Sequence, residues 1–162
     1  MSQSPAATPY PYPLRSKTAS SIVANTHTAA TSYHFRDKIL LTILSPSAHS
    51  PAHWVHVPLG PASTSFEITS ISSLVSDNAA DENALLPRSD LTATTVFGGT
   101  RRGEDEVWGQ TLATTIASAV LLKQPAEGRL LVFGLGIERS LLEGRIRREV
   151  WDQLIGLCLE CL

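Results

Sequence analysis

A strand–helix–strand pattern between residues 91 and 133 leaves the chain few ways to fold. Residues 91–97 are rich in β-branched side chains, which favours a β-strand, and two glycines follow them. Large apolar side chains then recur at every fourth position, which places them on one face of a helix. These side chains are Trp108, Leu112, Ile116 and Val120. Pro125 and Gly128 end the helix, and residues 130–133 form the next strand.

Two apolar segments upstream predict further strands. Ile39–Leu44 is apolar on both faces, which is typical of a central strand covered on both sides. Trp54 to Val57 alternates, so that Val55 and Val57 share one face and Trp54 lies on the other. Pro58 cannot donate to a ladder, so this strand ends there or lies at an edge. Residues 26–35 and, more weakly, 66–71 also read as strands.

The C-terminal region predicts a second amphipathic helix. Ser140 and Glu143 have the spacing of a capping box, in which each side chain satisfies a free backbone N–H. An apolar stripe follows, which predicts a helix that covers a sheet. The stripe consists of Leu142, Ile146, Val150, Leu154 and Leu157. Residues 72–88 are polar and are predicted to form a long loop.

The composition is that of a globular protein with one domain. The chain has 162 residues, 43% of them hydrophobic and 17% charged. A net charge of -2 gives no reason to expect nucleic acid. No apolar run approaches the about 18 residues that would span a bilayer. Cys158 and Cys161 are too few and too close for a disulfide framework, which favours a reducing compartment.

The N-terminal segment predicts a tail. Residues 1–20 are rich in Ser, Ala, Pro and Thr without any period, so we expect them to be disordered and residues 21–162 to form a single domain. Arg15 and Lys17, with no carboxylate in residues 1–35, also fit part of a mitochondrial transit signature. Four early prolines disfavour the amphipathic helix that such a signal needs.

Two glycine patterns resemble nucleotide-binding motifs. Gly134 and Gly136 stand between a strand and a helix, but Arg139 occupies the position of the third glycine of a dinucleotide fingerprint. We therefore predict a tight turn with close helix packing, and keep a small nucleotide-binding domain or enzyme as the rival hypothesis. Gly98 and Gly103 have phosphate-loop spacing, but the carboxylates that follow would repel phosphate and suit a helix N-terminus instead.

Histidine and cysteine spacing offers no clear reactive site. His49, His53 and His56 would have to converge from a loop and an alternating strand, so we expect solvated histidines rather than a metal site. Cys158 and Cys161 have redox-pair spacing but lie at the far end of the last helix, where the dipole does not lower a thiol pKa. We expect them to be partly buried small hydrophobes. The sequence predicts no catalytic, cofactor-binding or metal-ligating residue.

Several of these segments, taken in order, resemble the proteasome assembly chaperone 4 family. They are Thr94–Gly99, Trp108–Ala113, Leu130–Phe133 and Leu141–Arg147. The resemblance covers roughly residues 35–155, and the related chaperone 3 has the same order of elements. The proline-rich N-terminus and an insertion at residues 101–103 depart from the pattern.

The resemblance implies an α+β fold with antiparallel β-sheets of about five or six strands, covered by two helices. It also implies a chaperone without enzymatic activity or cofactor. Such a protein forms a heterodimer with a chaperone 3-like subunit. The dimer binds proteasome α-type subunits, promotes α-ring assembly of the core particle, and acts in cytoplasm and nucleus. An adaptor that uses the long loop and the N-terminal tail is a further alternative.

Two places are candidates for binding partners. Arg101, Arg102, Glu104 and Asp105 occupy a turn between a strand and a helix, and such exposed loops often carry recognition. Trp54 adds a large side chain on the face opposite Val55. Since only two helices are predicted, we expect some apolar sheet surface to remain until another chain covers it.

Overall fold

The computed structural model of the chain describes residues 14–60, 87–98, 103–137 and 148–162, and within them six strands and two helices. The elements are β1 (Arg15–Val23), β2 (Thr26–His34), β3 (Lys38–Leu44), β4 (His53–Pro58), β5 (Thr94–Phe97), α1 (Gly103–Lys123), β6 (Leu130–Gly136) and α2 (Arg148–Cys161). The α+β prediction with two helices is confirmed. Among these described residues, no helix is long and apolar enough to cross a bilayer.

The strands form one six-stranded sheet in the order β1-β2-β3-β6-β4-β5. Neighbouring strands are antiparallel except for β3 and β6, which pair in parallel from Lys38 opposite Leu130 to Leu44 opposite Gly136. The sheet is therefore mostly antiparallel with one parallel pair at its centre. That pair needs a long connection, because parallel strands cannot be joined by a tight hairpin.

Both helices pack on the same face of the sheet and bury its alternate residues. α1 contacts β4, β5 and β6, α2 contacts β1 and β2, and the two helices contact each other. The indoles of Trp108 and Trp151 meet edge to face between the helices, with ring centroids 5.6 Å apart and an angle of 82° between the ring planes. The stripe predicted for the first helix is confirmed, since Leu112 and Ile116 are fully buried. The same buried hydrophobic cluster includes, from the sheet, Leu41, Ile43, Val55, Val57, Leu131 and Phe133.

Strand β1 corrects the predicted boundary of the tail. It pairs with β2 along its whole length and so includes residues 15–20, which the composition had assigned to a disordered segment. A two-residue turn joins the strands, and its Ala24 and Asn25 have φ of 47° and 65°, as a type I′ turn requires. The prediction is wrong here because backbone pairing orders this polar edge strand, whereas composition reports only on apolar burial. Residues 1–13 lie outside the described residues.

Strand β3 is central, as predicted, but only one of its faces is covered by helices. Ile39 and Leu41 are buried beneath them, whereas Leu40 and Leu44 on the opposite face are only partly buried. In the parts of the chain that the structure describes, no helix lies on that second face. The expectation of cover on both sides is therefore not met by the described residues.

The other predicted segments have mixed outcomes. β4 ends at Pro58 as expected, but it lies between β6 and β5 rather than at an edge. β5 is shorter than predicted and begins at Thr94. The weak strand at residues 66–71, most of the loop at 72–88 and the capping box at Ser140 lie outside the described residues.

Candidate functional site

The sheet face turned away from both helices carries a band of apolar side chains, which we call the open face. It consists of Tyr33, Leu40, Leu44, Trp54, Phe97 and Val132. These residues come from five of the six strands, β2 to β6. In β2, β3, β4 and β6 strand alternation places these residues on one face. Phe97 joins them through a register shift between β4 and β5, which puts it opposite Trp54 although Thr95 lies opposite Val55.

Cross-strand register makes this band continuous. Leu40 lies opposite Tyr33 on one side and opposite Val132 on the other. Trp54 lies opposite Phe97. Side chains at such paired positions are close enough to contact each other across the strands. Between these two groups, Val132 lies opposite His56 and Trp54 opposite Gly134, so Trp54 and Val132 are diagonal neighbours. An aromatic side chain can reach a diagonal neighbour, which joins the two groups into one surface.

Gly134 lets Trp54 lie close against the sheet. The two residues are cross-strand partners, and a Cβ placed on Gly134 would lie 2.8 Å from Cζ3 of Trp54. The same Cβ would lie 3.1 Å from Cβ of Pro51. An aromatic ring that covers a cross-strand glycine protects the exposed backbone and holds the register.

This geometry corrects the glycine prediction. Gly134 and Gly136 lie inside β6, not in a turn before a helix. A Cβ on Gly136 would lie 2.6 Å from Cδ2 of Leu44. Side chains of the sheet thus fill the space above both glycines that a pyrophosphate would need to approach the backbone. The described geometry removes the basis of the rival nucleotide-binding hypothesis.

The open face exposes large apolar groups to water. Phe97 is 69% exposed and its neighbour Val96 is 55% exposed, while Trp54 is partly exposed. Removing such surface from water stabilises a complex by about 25 cal/mol per Å². At the end of the sheet, Lys38 and Asp37 form an exposed ion pair at 3.4 Å. An apolar centre with charges at its edge is the usual anatomy of a protein–protein interface.

The structure separates the residues that the sequence proposed as partner contacts. Trp54 lies on the open face as predicted. Glu104 and Asp105 are in the first turn of α1, on the opposite face of the sheet, and their side chains are not described. Arg101 and Arg102 lie outside the described residues. Sequence reasoning missed Phe97 as a neighbour of Trp54. The alternation of β5 would place Phe97 on the face of Thr95, and only the register shift between β4 and β5 puts it opposite Trp54.

The histidines do not converge. His53 and His56 project to opposite faces of β4, and no group of three potential metal ligands occurs in the described ranges. The prediction of solvated histidines is wrong for His53, which is 7% exposed. Its Nε2 atom lies 3.2 Å from Oγ1 of Thr95. The ring is part of the packing between α1 and the sheet.

The cysteines pack as small hydrophobes, but they are buried more deeply than the partial burial predicted. Cys158 and Cys161 are both free and fully buried. Burial raises the pKa of both thiols, which keeps them protonated. The Sγ atom of Cys161 donates to the carbonyl of Ala30 at 3.2 Å. A protonated thiol bonded inside the core is a poor nucleophile.

No family model matches the chain, and no curated protein matches its sequence. The fold is similar to that of a solved chain whose structure is described as a novel chaperone complex for yeast 20S proteasome assembly. The two chains superpose with a TM-score of 0.55 at 15% sequence identity, over 90% of this chain and 96% of the other. At this level of sequence identity, the superposition establishes likeness of fold alone. This chain thus has the α+β architecture found in a subunit of a yeast proteasome assembly chaperone complex.

Proposed function

We propose that this chain is a proteasome assembly chaperone of the chaperone 4 type. In this proposal it pairs with a chaperone 3-like subunit, and the dimer binds α-type subunits to promote α-ring assembly in cytoplasm and nucleus. The observation that carries the proposal is the fold likeness, which extends over nearly the whole of both chains. The ordered sequence resemblance within residues 94–147 supports it independently.

The open face is the proposed surface for the chaperone 3-like partner. A sheet face that none of the described helices covers can be completed by a second sheet packed against it at about 10 Å, as in a β-sandwich. Leu40, Val132 and Trp54 stand near the middle of the open face, where a partner would exclude water most fully.

We infer that the chain acts by binding rather than by catalysis. Its buried cysteines are kept protonated and its buried histidine is held in the core packing. Neither arrangement positions a nucleophile beside a base, as covalent catalysis requires. The resemblance likewise carries over no catalytic residue.

The segment at the start of α1 is the proposed contact for α-type subunits. It combines Arg101 and Arg102 with Glu104 and Asp105 of the first turn of α1, and α1 packs on the face opposite the open face. A partner on the open face would therefore leave this side of the molecule available. Charge reversal at Arg101 and Arg102 should weaken capture of α-type subunits at low salt without changing the melting temperature. Unchanged capture would remove this segment from the proposal.

The decisive experiment is co-expression with a chaperone 3-like subunit, followed by a pull-down of α-type subunits. Wild-type chain should give a 1:1 complex that captures them. Val132→Lys places a charge in the open face and should abolish pairing. Ser21→Lys adds the same charge at an exposed β1 position outside this face and should pair normally.

Two results would count against the proposal, and they separate its parts. Normal pairing by a folded Val132→Lys chain would show that the open face is not the interface. An intact heterodimer that captures no α-type subunit would exclude the assembly function while leaving the pairing in place.

A further inference from the structure

A cavity of about 510 Å³ lies between the C-terminal ends of α1 and α2 and the adjoining strands. Its walls are mainly apolar and include Ile39, Val120, Leu159 and Leu162, and Lys123 and Gln124 are among its polar members. Ala119 is a small residue in the α1 wall. Small-molecule sites in proteins measure about 300–1,000 Å³ and are mostly apolar with a few placed polar groups. This cavity has that size and lining, and it lies on the face opposite the open face.

A second cavity of about 470 Å³ adjoins the first and is basic. The two have three lining residues in common: His34, Gln124 and Leu162. Among the described residues, the second cavity is also lined by Arg15, Lys17 and Arg129. An apolar space therefore continues into one surrounded by cations.

The three cationic side chains differ in the hydrogen bonds and ion pairs that they form within the protein. Arg129 is held by Glu127, through an Nε–Oε1 bond of 2.8 Å among others, and also donates to the carbonyl of Phe35. Lys17 donates to the carbonyl oxygen of Leu162 at 3.2 Å. In the described parts of the chain, no acidic side chain forms an ion pair with Arg15 or Lys17. Arg15 therefore has no described acidic partner, and Lys17, which gives one of its three N–H donors to the oxygen of Leu162, keeps two donors for an anion.

His34, which lines both cavities, lies near the same positive charges. Burial lowers the pKa of His34, and the charges of Arg129, Lys17 and Arg15 lower it further against the opposing effect of Glu127. Since the charged imidazolium is disfavoured, His34 is neutral at pH 7 and presents a polar nitrogen between the two cavities. Its Nε2 atom lies 3.4 Å from Oγ of Ser32.

We propose that the two cavities form one binding site for an unbranched aliphatic carboxylate. The hydrocarbon chain occupies the cavity beside Val120 and Leu159, and the carboxylate lies against Arg15 and Lys17. A peptide fits less well, because its backbone polar groups would enter an apolar space with few hydrogen-bond partners. An aliphatic chain buries only apolar surface there, and its single charge meets cations at the other end.

The test is calorimetric titration of the full chain with sodium dodecanoate below its micelle concentration. We expect saturable 1:1 binding of dodecanoate and none of acetate, which lacks the chain. Dodecyltrimethylammonium has the chain with the opposite charge and should bind at least about tenfold more weakly, the ratio expected when a charge-assisted hydrogen bond is lost. Equal binding of the two amphiphiles would overturn the proposal.

Variants test each half of the site. Arg15→Gln combined with Lys17→Gln should weaken dodecanoate binding at least about tenfold, whereas the exposed Arg36→Gln should leave it unchanged. Ala119→Phe should block the apolar cavity, and Ala119→Leu provides a milder change if the larger one impairs folding. Val132→Lys should bind dodecanoate normally, because the open face is remote from the cavities. Normal binding by a folded Ala119 variant, or loss of binding in Val132→Lys, would place the ligand elsewhere.

Discussion

At the scale of single residues, Gly109 sets how closely α1 approaches the sheet. A Cβ at this position would lie 2.5 Å from Cε1 and 2.7 Å from Nδ1 of His53. The His53 ring is buried and lies beside Thr95, so it cannot move aside without disturbing the packing. Glycine is required here by the contact between two elements rather than by backbone conformation.

Gly109→Ala should therefore lower the free energy of unfolding by about 1–3 kcal/mol, the usual effect of overpacking. The matched control is Gly156→Ala in α2, where an added Cβ meets no atom within 4 Å. That change should raise the free energy of unfolding by about 0.5–1 kcal/mol, because alanine loses less entropy in a helix. Urea denaturation measures both. Stabilisation by both substitutions would show that α1 does not approach His53 this closely.

Glu127 and Arg129 form a partly buried ion pair that makes stability depend on pH. A side-chain hydrogen bond from Arg129 lowers the pKa of Glu127 from 4.5 to about 2. A carboxyl group with a lowered pKa contributes stability that is complete above its unfolded value. That contribution is lost as the pH falls from about 4.5 towards about 2.

Glu127→Gln should accordingly cost about 1–3 kcal/mol at neutral pH, the range for hydrogen bonds to charged groups. The difference from wild type should shrink as the pH is lowered from about 5 to about 2.5, because the wild-type carboxylate becomes protonated. Urea denaturation across this range measures the effect. A difference that stays constant with pH would show that the charge of Glu127 makes no contribution.

At the scale of elements, β1 is a polar edge strand held in place by its neighbours. It pairs with β2 throughout and contacts α2. Val23 is fully buried at its end, and Lys17 reaches the carbonyl of Leu162. Ser32 of β2 adds a bond of 2.6 Å from its hydroxyl to the carbonyl of Cys161. The hairpin and α2 therefore form one connected unit.

Truncation separates β1 from the residues that precede it. Removal of residues 1–13 should leave the denaturation midpoint unchanged, since their composition offers little apolar surface to bury. Removal of residues 1–23 should forfeit a large part of the about 5–15 kcal/mol typical of a domain, and should expose the edge of β2 to self-association. Urea denaturation and light scattering measure these effects. Equal stability of the two truncated chains would contradict the structural role of β1.

At the scale of the whole molecule, one face of the sheet is covered by helices and the other is the open face. We expect the isolated chain to self-associate, because apolar patches of this kind favour association in water. Co-expression with a chaperone 3-like subunit should yield a soluble 1:1 complex instead. Light scattering distinguishes these states, and a stable monomer that ignores the co-expressed partner would contradict the prediction.

Phe97→Ser provides a sharper test of the same idea. Phe97 is 69% exposed on the open face, so its loss should reduce self-association with little effect on folding. Leu122→Ser is the matched control, because Leu122 is 60% exposed but belongs to α1 on the other side of the sheet. Light scattering at equal protein concentration should show a decrease for the first variant alone. Equal decreases would mean that association is not specific to the open face.

The sequence by itself determined where α1 and β3 lie in the chain, because the spacing of apolar residues within each segment is enough to predict it. Leu112 and Ile116 define α1 through their spacing, and Ile39–Leu44 reads as a strand because apolar runs of that length favour one. The same alternation placed Trp54 on the face opposite Val55. Each of these inferences needs only residues within a few positions of one another.

Only the tertiary structure decided which strands are neighbours and therefore what surrounds Trp54. The pairing of Trp54 with Gly134 and with Phe97 joins segments far apart in the chain, and no local period encodes it. β1 escaped prediction for the same reason, since its order comes from backbone bonds to β2 rather than from apolar side chains. Local periodicity sets which face a side chain occupies, whereas strand order and register depend on the free energy of the whole sheet.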